Sequence, residues 1–372
     1  MSEAPSLYLG LISGTSADGI DAALVSFEQE RPRLLAARTH PWPTALRAEI
    51  LAVAQGETAL DLDAFGRLDV ALGQSFADAA LALLHDSGTP AAAVHAIGSH
   101  GQTVRHRPAG AHPFTLQLGD PATIAERCGI TVVADFRRAD VAAGGQGAPL
   151  LPAVHAMLLA APGRTRVVLN LGGIANITVL GADGSVTGFD TGPANGLLDA
   201  WCLRHRGEAF DRDGAFAASG RTDELLLDAL LADPYFALAP PKSTGREHFH
   251  LDWLAGQPRV ATLTPADVQA TLLELSARSV AAAIARHAPD AIDVLACGGG
   301  VHNGALMRRL AELLTPRPLS STAALGVDPD FLEATAFAWL ARQRLLGRPG
   351  NLPAVTGARG PRQLGAIHPA PR

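Results

Sequence analysis

The chain has 372 residues, 48% of them hydrophobic and 18% charged, and a formal charge of −6. That length exceeds what one core usually fills, so two domains are expected, and the apolar content leaves little room for long disorder. A mildly acidic balance without a basic footprint excludes nucleic acid as the main partner, and no run of about 18 apolar residues offers a membrane span.

In chain order, "LYLGLIS" (7–13) reads as a strand, "GTSADG" as a tight turn, "IDAALVSF" (20–27) as the returning strand and "RLLAARTH" as a third. The stretch 66–88, "GRLDVALGQSFADAALALLHDSG", carries apolar residues at helical spacing and stops at Gly88. The strand-like "AAVHAIGSHGQTV" follows. The second half repeats the layout: "RVVLNLGG" (166–173), a polar turn, then "ITVLGADGSVTGFD" (177–190) with its Asp-Gly hairpin. A helix over 264–290 opens with Thr264 before Pro265, and "IDVLACGGGVHN" closes the repeat.

Meander, helix, strand and glycine loop thus occur twice, which predicts a duplicated α/β unit with a cleft between the copies. The first lobe is expected over 1–136, with the tail 348–372 returning to it. The second is expected over 137–347, with an insertion or flap near 210–250 marked by prolines and a change of composition. Cys128, Cys202 and Cys297 are scattered without disulfide or zinc spacing, and "MSEAPS" lacks the marks of an export signal, so a cytoplasmic location is expected.

Three glycine clusters carry the chemistry. A turn whose backbone N–H groups converge, with hydroxyls and a carboxylate for Mg²⁺, suits a phosphate. "SGTSADG" offers Gly14, Thr15, Ser16 and Asp18, although an ordinary hairpin turn has the same composition. "NLGGIAN" places Asn170, Gly172, Gly173 and Asn176 at the matching point of the second copy, so two clamps are expected to face each other across one cleft. "CGGGVHN" puts Gly298, Gly299, Gly300 and Asn303 at the end of a strand and the start of a helix, where an adenosine or its phosphates can lie. Only Lys242 among the 30 basic residues is lysine, and it follows two prolines, which closes the P-loop route.

"GFDTGPAN" sets Asp190 at a strand end, placed to act as general base in phosphoryl transfer and as a second Mg²⁺ carboxylate; capping of the next helix is the plainer alternative. "GSHGQTVRHRP" and "DFRRADVAAGGQGAPL" supply amides, hydroxyls and guanidiniums for a carboxylate-bearing polyol, with Gln102, Thr103 and Arg137 as acceptor contacts. A surface ion pair is expected for one of Arg137 and Arg138. His95, His100, His106 and His112 lack ligand spacing, and "GGQGAPL" is a poor dinucleotide fingerprint because no strand leads into it. Glu333, in an otherwise apolar helix, is either an exposed helical residue or part of a cleft wall.

Taken together, "SGTSADGID", "SHGQT", "DFRRAD", "GGQGAPL", "NLGGIANIT", "FDTGPAN", "PPKSTGRE" and "CGGGVHN" resemble, in order and over nearly the whole chain, the anhydro-N-acetylmuramic acid kinases of bacterial cell-wall recycling. The resemblance implies an actin-like, hexokinase-like α/β fold with two ribonuclease-H-like lobes around a nucleotide cleft. It implies that ATP, water and 1,6-anhydro-N-acetylmuramic acid give N-acetylmuramic acid 6-phosphate and ADP, with Asp190 activating the water. It extends the ATP-binding turn from Gly14 to Asp21, taking in Ala17, Gly19 and Ile20, and suggests a homodimer. Ile12 and Ala194 stand where the family often has methionine and glycine. A kinase for another sugar or polyol, an actin-like or chaperone-like ATPase, and a glycoside hydrolase built on Asp190 and a second carboxylate are the rival readings.

Overall fold

The computed structural model describes residues 6–14, 16–28, 30–55, 60–245 and 248–371. Two compact units divide the chain: one runs to Leu158 and resumes at Phe331, the other spans Leu159–Asp330.

In the first unit, β1 (Ser6–Ser13), β2 (Ile20–Glu28) and β3 (Arg31–His40) form an antiparallel meander, with Leu9 opposite Leu24 and Ile12 opposite Asp21. β4 (Val94–Arg107) lies parallel to β1, β5 (Phe114–Leu118) pairs with β4, and β6 (Val132–Ala134) extends the sheet in parallel. Because side chains alternate along a strand, Leu9 and Leu11 face one way and Gly10 the other. Leu9 and Leu11 pack with Leu68, Leu72 and Phe76 of the helix Leu62–Asp86, which Asp61 starts by accepting from the Ala64 amide at 2.7 Å. Burying each such leucine contributes about 2 kcal/mol.

The opposite face receives the helix Leu332–Leu345 at backbone contact. A Cβ on Gly10 would lie 1.8 Å from the Ala334 carbonyl oxygen, and one on Gly98 would lie 2.0 Å from that of Phe337. Only glycine permits this approach.

The expected lobe limits need correction here. Residues 137–158 and 331–347 belong to the first unit. The helix Leu332–Leu345 cannot leave β1 and β4 without exposing those glycines. The segment after 137 is tied down by Asp140, a fully buried carboxylate that accepts from Gly147 N (2.8 Å), Asn351 Nδ2 (2.7 Å) and Thr356 Oγ1 (2.7 Å). Such charge-assisted bonds compensate burial of the charge. The chain then ends in β12 (Ala366–His368), antiparallel to β6.

The second unit repeats the design. β7 (Arg166–Leu171), β8 (Ile174–Leu180) and β9 (Val186–Pro193) form the meander, and β10 (Val294–Cys297) and β11 (Leu319–Ser321) add in parallel beside β7. Its long helix is Pro265–His287, begun by Thr264, whose side chain accepts from the Asp267 amide at 3.2 Å. Leu272, Leu275 and Ile284 pack there against Val167, Leu169 and Ile177. The region expected as an insertion is no loose flap: Leu226, Leu227 and Leu230 of the helix Glu224–Leu231 are fully buried in the same core.

The spatial orders are β12-β6-β4-β1-β2-β3 and β11-β10-β7-β8-β9. In both, the second strand of the meander runs against its neighbours while the next two strands beyond the first run with it, and the terminal β12 of the first sheet is reversed. Among the described residues no helix is long and apolar enough to cross a membrane.

Candidate active site

The first glycine turn joins β1 to β2. Ala17 N donates to Gly14 O at 3.1 Å, and Arg47 closes the far side by donating from Nε to Ala17 O (2.8 Å) and from a terminal nitrogen to Asp18 Oδ1 (3.0 Å). Gly14 and Asp18 are exposed and Ser16 is half-buried, whereas Ala17, Gly19 and Ile20 are buried. Ala17 and Ile20 therefore frame the turn from the core side. Gly19 is required by packing, since a Cβ there would meet Thr39 Cγ2 at 2.5 Å. Asp21 accepts from Thr39 Oγ1 at 2.6 Å across the sheet. Thr15 lies outside the described residues.

Gln102 sits under this turn within β4 and is completely buried. Its Nε2 donates to Gly14 O (3.2 Å) and Thr103 O (3.3 Å), while Oε1 is buried without a hydrogen-bond partner among the described residues. An unpaired buried carbonyl is costly, so this oxygen is positioned to accept one donor. Thr103 Oγ1 accepts from Gln117 Nε2 at 3.1 Å.

Arg137 donates from Nε to His100 Nε2 (2.9 Å) and from a terminal nitrogen to Gly147 O (2.7 Å). Since His100 Nε2 accepts, the proton is on Nδ1 and goes to Gly101 O at 2.9 Å. Burial, reinforced by the Arg137 charge, holds His100 well below the usual histidine range. Arg138 forms the surface pair, 3.5 Å from Asp135.

In the second unit, Gly172 and Gly173 cross from β7 to β8. Their carbonyls accept from the backbone after β9: Asn195 N to Gly172 O (3.1 Å), and Ala194 N (3.1 Å) and Gly196 N (3.0 Å) to Gly173 O. Asn170 is buried on β7, opposite Asn176 on β8, and Asn176 in turn faces Asp190 on β9.

Asp190 stands within β9, which continues to Pro193, and so is not at the strand end the sequence suggested. The following helix Asn195–Arg206 has Ala194 at its N-cap and no side-chain cap, which removes helix capping as the reason for Asp190. The segment 235–244 holds this residue: Asp190 N donates to Lys242 O (3.2 Å), Tyr235 Oη donates to Asp190 O (2.8 Å), and Thr244 N donates to Asp190 Oδ2 (3.0 Å). Burial and the Asp190 charge both push the Tyr235 hydroxyl up. Its proton stays in place at neutral pH.

The third cluster follows β10. Gly298 has φ +80°, and a Cβ there would lie 2.4 Å from Asn170 Oδ1, whereas Gly299 is exposed with open space where a side chain would stand. Gly300 packs on Leu171. Asn303, expected as a nucleotide contact, has its Oδ1 engaged in capping the helix Gly304–Leu314, where it accepts from Leu306 N at 3.1 Å. Glu333 is half-buried in the first turn of the helix Leu332–Leu345, one residue before the carbonyl that meets Gly10.

Tyr235, Thr244, Lys242 and His100 escaped the sequence reading of the site. One signal was present for two of them: Lys242 is the sole lysine and Tyr235 one of two tyrosines.

A doubled sheet of ribonuclease-H-like strand order, with a glycine turn after the first strand of each copy, is the actin-like, hexokinase-like α/β fold expected from the sequence. The family model described as anhydro-N-acetylmuramic acid kinase matches residues 6–370. The chain belongs to that family, and it is a phosphotransferase. It is 59% identical over 367 residues to the anhydro-N-acetylmuramic acid kinase of Xanthomonas campestris pv. campestris, covering 98% of this chain and 97% of the relative. Identity to the Xylella fastidiosa kinase of the same name is 56%, over 98% and 96% of the two chains. Identity to that of Coxiella burnetii is 51%, over 97% of each.

Proposed function

We propose that this protein uses ATP to open 1,6-anhydro-N-acetylmuramic acid with water and to phosphorylate it, giving N-acetylmuramic acid 6-phosphate and ADP. The observation that carries the reading is Asp190, gripped by one segment through two bonds to its backbone and one to its carboxylate beside a glycine turn, in a chain of this family. In the proposed step Asp190 takes a proton from water as the water oxygen bonds to the anomeric carbon. The bond from that carbon to the bridging oxygen breaks. The freed oxygen takes the γ-phosphoryl group and ADP leaves with the β–γ bridging oxygen.

ATP is assigned to the glycine turns, with Gly14, Ser16, Gly172, Gly173 and Gly298–Gly300 as backbone cradle. Gln102 Oε1, Thr103, Arg137 and Glu333 are assigned to the sugar. Among the described residues no three His, Cys, Asp or Glu side chains gather into a metal site, so an ion here would depend on the phosphates for most of its ligands. That suits Mg²⁺, which keeps waters and binds through one or two carboxylates plus phosphates. Asp18 and Asp190 would supply those carboxylates, and the ion would neutralise phosphate charge. A cytoplasmic homodimer completes the reading, and light scattering on the purified protein tests the dimer.

The deciding experiment incubates the protein with Mg-ATP and the anhydro sugar in ¹⁸O-water and reads the products by mass. A phosphorylated sugar carrying the label outside its phosphate is expected. Label in inorganic phosphate, with the sugar unchanged, would overturn the reading in favour of a plain ATPase. Phosphorylation of other polyols but not of this sugar would shift it to another sugar kinase.

A further inference from the structure

The composition of the chain contains an anomaly that the proposed reaction leaves unused. Every basic residue but one is arginine, and the exception, Lys242, stands in the segment that holds Asp190. Its half-buried ammonium donates to Tyr235 O at 3.1 Å and lies over the Tyr235 ring, 4.5 Å from the centroid, and 5.9 Å from the ring centroid of Phe189. An ammonium on a slender stem can sit over a ring and point one N–H at a carbonyl, which a planar guanidinium fills differently.

The bonds form a closed figure. Tyr235 grips the Asp190 carbonyl from one end of the strap, and the Lys242 carbonyl and Thr244 amide grip Asp190 from the other. The Lys242 side chain returns to the carbonyl of Tyr235 and so ties the two ends together. Of the charged groups facing the ammonium, Asp190 favours it and Arg286 opposes it, and burial draws its affinity for a proton below the usual lysine range.

We propose that Lys242 is a positioning residue for Asp190: its positive charge staples the 235–244 strap and thereby aims the carboxylate. This rests on Asp190 being the base of the proposed reaction, and the tests below separate the two claims. Because the chain has a single lysine, amine chemistry addresses this residue and the terminal amine alone. Acetylation removes the charge, whereas reductive methylation keeps it. Acetylated enzyme is expected to lose about tenfold or more in kcat with KM for ATP changed by less than about twofold, while methylated enzyme keeps most of its kcat. Lys242→Arg protein, acetylated in the same way, controls for the terminal amine and should be unaffected by the reagent.

Lys242→Met should reproduce the kcat loss without the KM change, and Lys242→Arg should recover part of it. If Lys242→Met fails to fold, acetylation of the folded wild-type enzyme still decides. Unchanged kcat after complete acetylation overturns the inference while leaving Asp190 as base. A parallel rise in both KM values with kcat intact also overturns it, since a general loosening would act on binding. Near-normal turnover in Asp190→Asn would instead remove the underlying reading.

Discussion

The two glycine turns begin from the same element, a strand leaving the centre of a sheet and returning beside itself, yet they are closed by different means. In the first unit side chains reinforce a single backbone bond, Ala17 N to Gly14 O: the Gln102 amide reaches up to Gly14 O, with Arg47 on the flank. In the second, main-chain amides of Ala194, Asn195 and Gly196 bond the carbonyls of Gly172 and Gly173. Side-chain reinforcement can be removed by one substitution, whereas main-chain bonds are lost only with the local fold. The second unit also carries Asp190 one strand away from its turn. On the proposed reading both turns contribute to holding ATP while the chemistry lies beside the second, so binding and turnover should be separable by substitution.

The severest test is Asp190→Asn, which should lower kcat by about 10²-fold or more while ATP affinity, read by calorimetry, stays within about twofold. A matching loss of ATP affinity would abolish the division of labour. Next comes Gly298→Ala: at φ +80° and 2.4 Å from Asn170 Oδ1, the added methyl must displace the loop. It should raise KM for ATP by about tenfold or more, at a strain cost of about 1–3 kcal/mol. Arg137→Ala should raise KM for the sugar by about tenfold and KM for ATP much less, because a charge-assisted bond contributes about 1.5–3 kcal/mol. Equal effects on both would detach Arg137 from the acceptor.

Gln102→Ala and Asn195→Ala sharpen the contrast most directly. The first should raise KM for ATP about fivefold, corresponding to the lost bond to Gly14 O of about 1 kcal/mol, and should raise KM for the sugar as well through loss of Oε1. The second removes only Asn195 Nδ2 to Leu171 O (3.0 Å) and spares the backbone bonds, so KM for ATP should move by less than about twofold.

The smallest expected effect is acid sensitivity. Burial holds His106 down at about 4 and His155 at about 3, and His100 well below normal, all in the first unit. The unfolded chain binds protons at these positions below the ordinary value of 6.5, so their contribution is complete above that pH. It is lost progressively as the pH falls toward the folded values. Hydrogen exchange compared at pH 7.5 and pH 5 should show β4 and the helix Pro152–Leu159 losing protection before β7 and β10. Earlier loss in the second unit would reverse this part of the comparison.

Much of the site could be read from residues alone because its parts are local. A glycine turn behind an apolar strand, an Asp-Gly hairpin, and a threonine and proline opening a helix each depend on a few neighbouring torsions. What escaped depended on distance in sequence. Nothing near "SHGQT" announces that the Gln102 amide would be spent on Gly14. Nothing in "GGGVHN" says whether Asn303 serves a ligand or its own helix, and it caps the helix. The lobe limits were misplaced because Gly10, Gly98 and Asp140 acquire their partners from residues some two hundred or more positions away.

The amino-acid order by itself determined the paired meanders, the long helices and the location of the three glycine loops, since hydrophobic period and backbone freedom act within a few residues. Tertiary structure alone decided which side chains of each loop turn inward, what grips Asp190, and which unit residues 331–347 complete. Those outcomes follow from burial and from the pairing of buried polar groups, and a chain acquires both only when remote segments meet.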